Sequence, residues 1–172
     1  TGHTAMLLAD GRVVVAGGRG SVEPGGESVA LRSAEVWDPR TGAFESLPFR
    51  TDVRDERVGY TLTLLPDQRV LVVGGTDSSA DALLWDPVTG SLESAGSLST
   101  PRAYHTATLL PDGRVFVAGG LDDQLEPVAD AEVWSPIDMR FRPAGSSTPM
   151  QESDSATLLS DGRVLVIGRG PE

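Results

Sequence analysis

The densest chemistry in this 172-residue chain lies in Arg102-Ala-Tyr104-His105, where a guanidinium, a phenol and an imidazole fall within four positions. Imidazoles and phenols ligate metals and carry protons, and arginine grips carboxylates with a planar fork. His105 also belongs to a column. His3, Tyr60, His105 and Asp154 each stand four residues before a Leu-Leu pair, and Arg57 and Arg102 share a position three residues earlier. A polar residue that recurs at a fixed place in a repeat is first of all a hydrogen-bonding part of that repeat. At the mouth of a channel the same ring would meet any small ligand. Arg57, Tyr60, Arg102, Tyr104, His105 and Asp154 therefore form the candidate ligand-binding set, with no catalytic residue and no metal ligand assigned. Tyr104 and His105 point to opposite faces of a strand by its period of two, so they share a ligand only at the strand's end.

The elements that position this column are written four times. The stretches beginning at Leu7, Leu64, Leu109 and Leu158 each run Leu-Leu-x-Asp-x-Arg-Val-x-Val-x and then, in three copies, Gly-Gly. Each reads as a hairpin: a strand A alternating apolar residues with Thr, a turn whose aspartate bonds the turn backbone and whose glycine takes the left-handed position, and a strand B apolar on both faces. An outer hairpin follows, with Trp37, Trp85 and Trp134 each seven residues before Phe44, Leu92 and Phe141. Constant spacing across a turn means constant register, so these aromatics are expected to be buried between neighbouring units. Gln68 replaces the turn glycine in the second copy, which predicts a changed turn type there, because a side chain in a left-handed position is strained. Arg169 replaces the second glycine of copy four.

Copies 45 to 57 residues apart, ending in di-glycine, resemble the kelch repeat of β-propellers. The resemblance implies an all-β fold of four-stranded antiparallel kelch-type blades, over about residues 3–47, 60–95 and 105–143, with a half blade over 154–169. Three and a half blades make an incomplete propeller. Because the first residue already lies in a strand-A pattern, the chain reads as a fragment, whose open blade faces missing blades or a second chain are expected to cover.

Composition narrows the chemistry. Cysteine, lysine and asparagine are absent, which removes disulfides, zinc thiolates, phosphate-loop lysines and N-glycosylation acceptors. The missing Lys and Asn point to a high-GC bacterial genome, and an extracellular or cell-surface location is expected. A net charge of −11 opposes nucleic acid as a partner, and no apolar run is long enough for membrane insertion. Clustered carboxylates at Asp122-Asp123, or Asp77 with Asp81, match calcium's taste for oxygen but no known calcium loop. No cofactor is assigned.

The run from Tyr104-His105 through Leu-Leu-Pro-Asp-Gly-Arg-Val-Phe116 also resembles a strand of galactose oxidase-like copper radical oxidases. That resemblance implies an axial copper ligand at Tyr104 and an equatorial one at His105. The family also uses a second histidine and a tyrosine cross-linked to cysteine, whereas here His3 is the only other histidine and cysteine is absent. Two functions follow. One is a binding or scaffolding propeller that engages a protein or carbohydrate ligand through its variable B-to-C and D-to-A loops. The other is an enzyme, led by the copper oxidase, whose site is completed elsewhere.

Overall fold

The computed structural model describes residues 3–21, 27, 29–30, 34–47, 58–75, 80–146 and 155–167. Those residues form strands and turns without helix. Blade 1 joins β1 (Thr4–Leu7), β2 (Val13–Ala16), β5 (Ala34–Asp38) and β6 (Ala43–Leu47) in one antiparallel sheet; a small hairpin, β3 (Arg19–Gly20) with β4 (Val29–Ala30), rises from its B-to-C loop. Blade 2 orders β7 (Thr61–Leu64), β8 (Val70–Val73), β9 (Asp81–Trp85) and β10 (Leu92–Ser97) in the same way. Blade 3 repeats it with β11 (Thr106–Leu109), β12 (Val115–Ala118), β13 (Asp130–Ser135) and β14 (Arg140–Ser146). Blade 4 contributes β15 (Ser155–Leu158) and β16 (Val164–Ile167). The A strands β1, β7, β11 and β15 are successive neighbours, so they form the inner wall.

The core lies between blades. Val14, Ala16, Ala34 and Val36 of blade 1 meet Val70, Val72 and Trp85 of blade 2, and Leu71, Val73, Ala82 and Leu84 meet Val115, Val117 and Trp134 of blade 3. Alternation on strand B sends successive valines to opposite neighbours, which is why β8, with a blade on each side, is buried at every residue. Trp134 also donates its indole N–H to the carbonyl of Ala95 at 2.9 Å, pinning blade 3 to the outer strand of blade 2. Trp37 departs from expectation: it is only half-buried, because it faces away from blade 2.

The Gln68 turn also corrects the sequence reading. Gln68 keeps φ 72° and donates its N–H to Leu65 O at 3.0 Å, as Gly113 does to Leu110 O in blade 3. The turn type is unchanged and the residue accepts the strain. The hairpin register, set by the Leu-Leu pair and by an Arg69 N–H bond to the Asp67 carboxylate, overrides local preference. Met139 does the same at φ 52° in the outer turn of blade 3, where blades 1 and 2 have Gly42 and Gly90.

Candidate functional site

The segment entering blade 3 is sewn alternately to two blades. Arg102 O accepts the Gly75 N–H of blade 2 at 2.9 Å, Ala103 pairs with Leu121 of its own blade through two 2.9 Å bonds, and Tyr104 donates its N–H to Gly59 O at 2.7 Å. Tyr104 takes φ 58°, an uncommon conformation for a tyrosine, to make that turn. His105 then reaches back, its Nε2 lying 2.9 Å from Thr61 Oγ1 on β7.

The first glycine of the Gly-Gly pairs in blades 1 and 2 makes room for the column residue of the next blade. A Cβ on Gly17 would collide with the Tyr60 ring and hydroxyl, and one on Gly74 would stand 2.7 Å from His105 Cε1. The second glycine serves its own blade, since a Cβ on Gly120 would meet His105 Cβ at 2.9 Å. Column residues thus pack between blades. Burial raises the Tyr60 phenol to about 12. His105, 5% exposed, is held neutral down to about pH 3 by burial first and the Arg102 cation second; the Arg102 carbonyl, already occupied by Gly75, offsets only part of this. Its Nδ1 is buried without a hydrogen-bond partner among the described residues.

Arg102 is the residue whose role the sequence least suggested. It is 1% exposed, and its guanidinium is consumed inside blade 3: Nη1 donates to Asp130 O at 2.5 Å and Gly119 O at 3.4 Å, Nε to Thr100 O at 3.3 Å, and Nη2 to Glu132 Oε1 at 3.3 Å. Glu132, also buried, accepts the Ser99 N–H at 3.1 and 3.0 Å. Burial draws the Arg102 pKa below its ordinary value, and the Glu132 and Asp130 carboxylates oppose that shift.

Of the six candidate residues, Tyr60, Tyr104 and the buried pair Arg102 and His105 are brought to one end of strands β7 and β11; Arg57 and Asp154 lie outside the described residues, and His3 is exposed. A copper site at Tyr104 and His105 would have to use the buried Nδ1 of His105 or displace Thr61 from its Nε2. His105 Nε2 is engaged by Thr61 and its ring is wedged on Gly74 between blades. Among the described residues no three His, Cys, Asp or Glu side chains gather as a metal would require, Asp122 and Asp123 included; Asp77 lies outside them.

The loop face adds a feature that sequence reading passed over. In the B-to-C loop of blade 3, Asp122 Oδ1 accepts the N–H groups of Gln124 and Glu126 at 2.8 and 2.9 Å, and Leu125 N–H returns to Asp122 O at 3.1 Å. This small closed turn holds Leu125 at φ 63° and 71% exposed, between Gln124 and Glu126. A hollow of about 520 Å³ lined by Val133, Ile137 and Arg142 is a different thing. Val133 is the counterpart of Val36, which blade 2 covers, so the hollow is the uncovered flank of blade 3's outer half.

Residues 2–48 match the family model of the kelch motif. The chain is 36% identical over 84 residues to the F-box/kelch-repeat protein SKIP20 of Arabidopsis thaliana, an alignment covering 46% of this chain and 19% of that protein. Its fold is similar to that of a fungal alcohol oxidase of the AA5 family solved in complex with copper, with TM-score 0.65 and 16% identity over 98% of this chain and 48% of that one. The chain spans about a fifth of the first relative's length and about half of the second's. Repeat, sheet order and these likenesses agree on the fold: residues 2–48 carry a kelch motif, and the chain folds as all-β, kelch-type propeller blades, three four-stranded and the inner half of a fourth among its described residues.

Proposed function

We propose that this segment belongs to a binding or scaffolding propeller that engages a protein or carbohydrate ligand through its B-to-C and D-to-A loops. The observation that carries the reading is the Leu121–Asp130 loop, which spends its backbone hydrogen bonds on rigidity and uses it to display an apolar side chain between polar and acidic neighbours. A strained backbone holding an exposed leucine has no packing explanation, and such strain clusters at binding sites. Tyr104 shares this end of blade 3, tied to the loop through the Ala103–Leu121 pair. Arg57, Tyr60 and Asp154 remain in the proposed ligand-binding set, and Arg102 and His105 fix the backbone on either side of Tyr104. Screening the chain against a glycan array and a displayed peptide library tests this. Binders lost in both Leu125→Ser and Tyr104→Ala support it; binders indifferent to both refute it.

A second reading, an oxidase completed by further sequence, draws on the copper-bound oxidase of similar fold and on the Tyr104-His105 pair. It requires His105 to leave Thr61 and turn from the blade interface. Stoichiometric copper binding that His105→Ala abolishes and His3→Ala spares would promote it over the first.

A further inference from the structure

The A-to-B and C-to-D turns lie at the end of the blades opposite the B-to-C and D-to-A loops, since successive strands of a blade run antiparallel. The two most exposed large apolar side chains among the described residues stand there, Val88 at 85% and Ile137 at 94%. They share one position of the repeat, directly after the proline of the outer turn, on adjacent blades. Blade 1 has Arg40 at that position, paired with Asp38. Want of a neighbouring blade does not account for the exposure, because blade 2 is packed on both sides and Val88 still faces water.

The tips are held in place. Val88 donates its N–H to Asp86 Oδ1 at 2.8 Å, and Ile137 donates its N–H to Ser135 Oγ at 3.3 Å. The outer turn of blade 3 is also seated on blade 2, since a Cβ on Gly96 would strike the Met139 carbonyl. A Cβ on Gly113 would lie 3.9 Å from the Pro66 ring and 4.0 Å from the Pro136 ring, so the turns of the two blades meet in one surface.

Charge selects what can cover it. All seven short turns carry an aspartate and six carry an arginine, so this end is almost neutral in a chain of net charge −11. Two copies of the chain repel through the rest of their surface and least through this one. The aspartates of six turns are each held by an arginine. The seventh, Asp86, lost that partner where Val88 took the place of arginine, and among the described residues neither Asp86 nor the exposed Arg140 of blade 3 is in an ion pair.

We propose that this face seats a second copy of the chain about a two-fold axis between blades 2 and 3, with Val88 of each copy on Ile137 of the other and Asp86 of each against Arg140 of the other. Such a pairing is self-complementary, each contact being made twice. It turns the ligand-binding loops of both copies outward, and it stands whether or not those loops bind a ligand.

Sedimentation velocity of the chain at rising concentration tests this, because a contact of this small size gives a weak, reversible pair. Val88→Asp and Ile137→Asp should each raise the dimer Kd about tenfold or more. Phe44→Asp, on the open face of blade 1 where Phe44 is 58% exposed, should leave it unchanged. Asp86→Asn, which keeps the turn's acceptor, and Arg140→Gln should each weaken the dimer about fivefold, and the double variant should lose no more than either alone. A chain monomeric at every concentration, a dimer indifferent to Val88→Asp and Ile137→Asp, a dimer abolished by Phe44→Asp, or additive losses at Asp86 and Arg140 would overturn the proposal.

Discussion

Replacing Arg102 by Met tests whether the guanidinium is a clamp or a ligand-binding group. Methionine keeps much of the buried volume but withdraws every donor. Glu132 would remain buried with only the Ser99 N–H, and the carbonyls of Gly119 and Asp130 would lose their side-chain donor. Breaking a buried ion pair from one side costs about 3–5 kcal/mol, because the stranded charge keeps its desolvation penalty. Stranded carbonyls add about 1 kcal/mol or more each where no water reaches them. The expected loss for Arg102→Met is therefore about 5 kcal/mol or more, a large share of the roughly 5–15 kcal/mol that holds a domain together. Glu132→Gln in the Arg102→Met background removes the stranded charge and should recover about 1–2 kcal/mol, whereas in the wild-type background it destabilises. Urea denaturation of the four proteins, followed by tryptophan fluorescence with m-values compared, reads both quantities. A loss below about 1 kcal/mol for Arg102→Met, or strictly additive effects, would refute the clamp.

Three further outcomes are expected. His105 takes up a proton in the folded chain only near pH 3, while an unfolded histidine does so near 6.5; the unfolded state holds more protons between these values, so stability is full above about pH 6.5 and declines as pH falls. Denaturation between pH 4.5 and 6.5 should show that slope, at most about 1.4 kcal/mol per pH unit, and His105→Gln should flatten it. Gln68→Gly should stabilise the chain by about 1 kcal/mol by relieving the left-handed strain at φ 72°, measurable as a raised urea midpoint. Trp134→Ala should cost about 3–5 kcal/mol and half-buried Trp37→Ala less than half of that in the same assay; equal losses would contradict the open face of blade 1.

Strands and register were legible because the repeat states them four times, and the Trp-to-Phe or Trp-to-Leu spacing returns as the pairs Trp37 with Phe44, Trp85 with Leu92 and Trp134 with Phe141. What escaped were choices made by tertiary contact. Gln68 looked like a changed turn because local preference was weighed without the hairpin that constrains it. Trp37 looked buried because sequence periodicity cannot tell a blade with a neighbour from one without. Arg102 read as a ligand-facing charge, since a fully buried arginine is rare and its partner Glu132 lies thirty residues away across the loop. The column His3, Tyr60, His105 and Asp154 pointed to a shared place in the repeat, but only coordinates reveal that Gly17 clears space for Tyr60 and that Gly74 and Gly120, from two blades, both clear space around His105. Leu125 carried no signal beyond an apolar residue in an acidic loop.

The lopsided faces of the blades bear on how the chain comes off the ribosome. Trp85 and Trp134 are each covered by the blade that precedes them in sequence, so blades 2 and 3 leaving the exit tunnel find their seats already made. What waits for the next blade is a surface of smaller residues, Val14, Ala16, Ala34 and Val36 in blade 1, while the bulky ring is tucked away at once. Synthesis from the amino terminus thus keeps the tryptophan-bearing faces of blades 2 and 3 exposed for the shortest time, and a circular permutant that begins between β8 and β9 would forfeit that protection by releasing the outer hairpin of blade 2 with Trp85 uncovered.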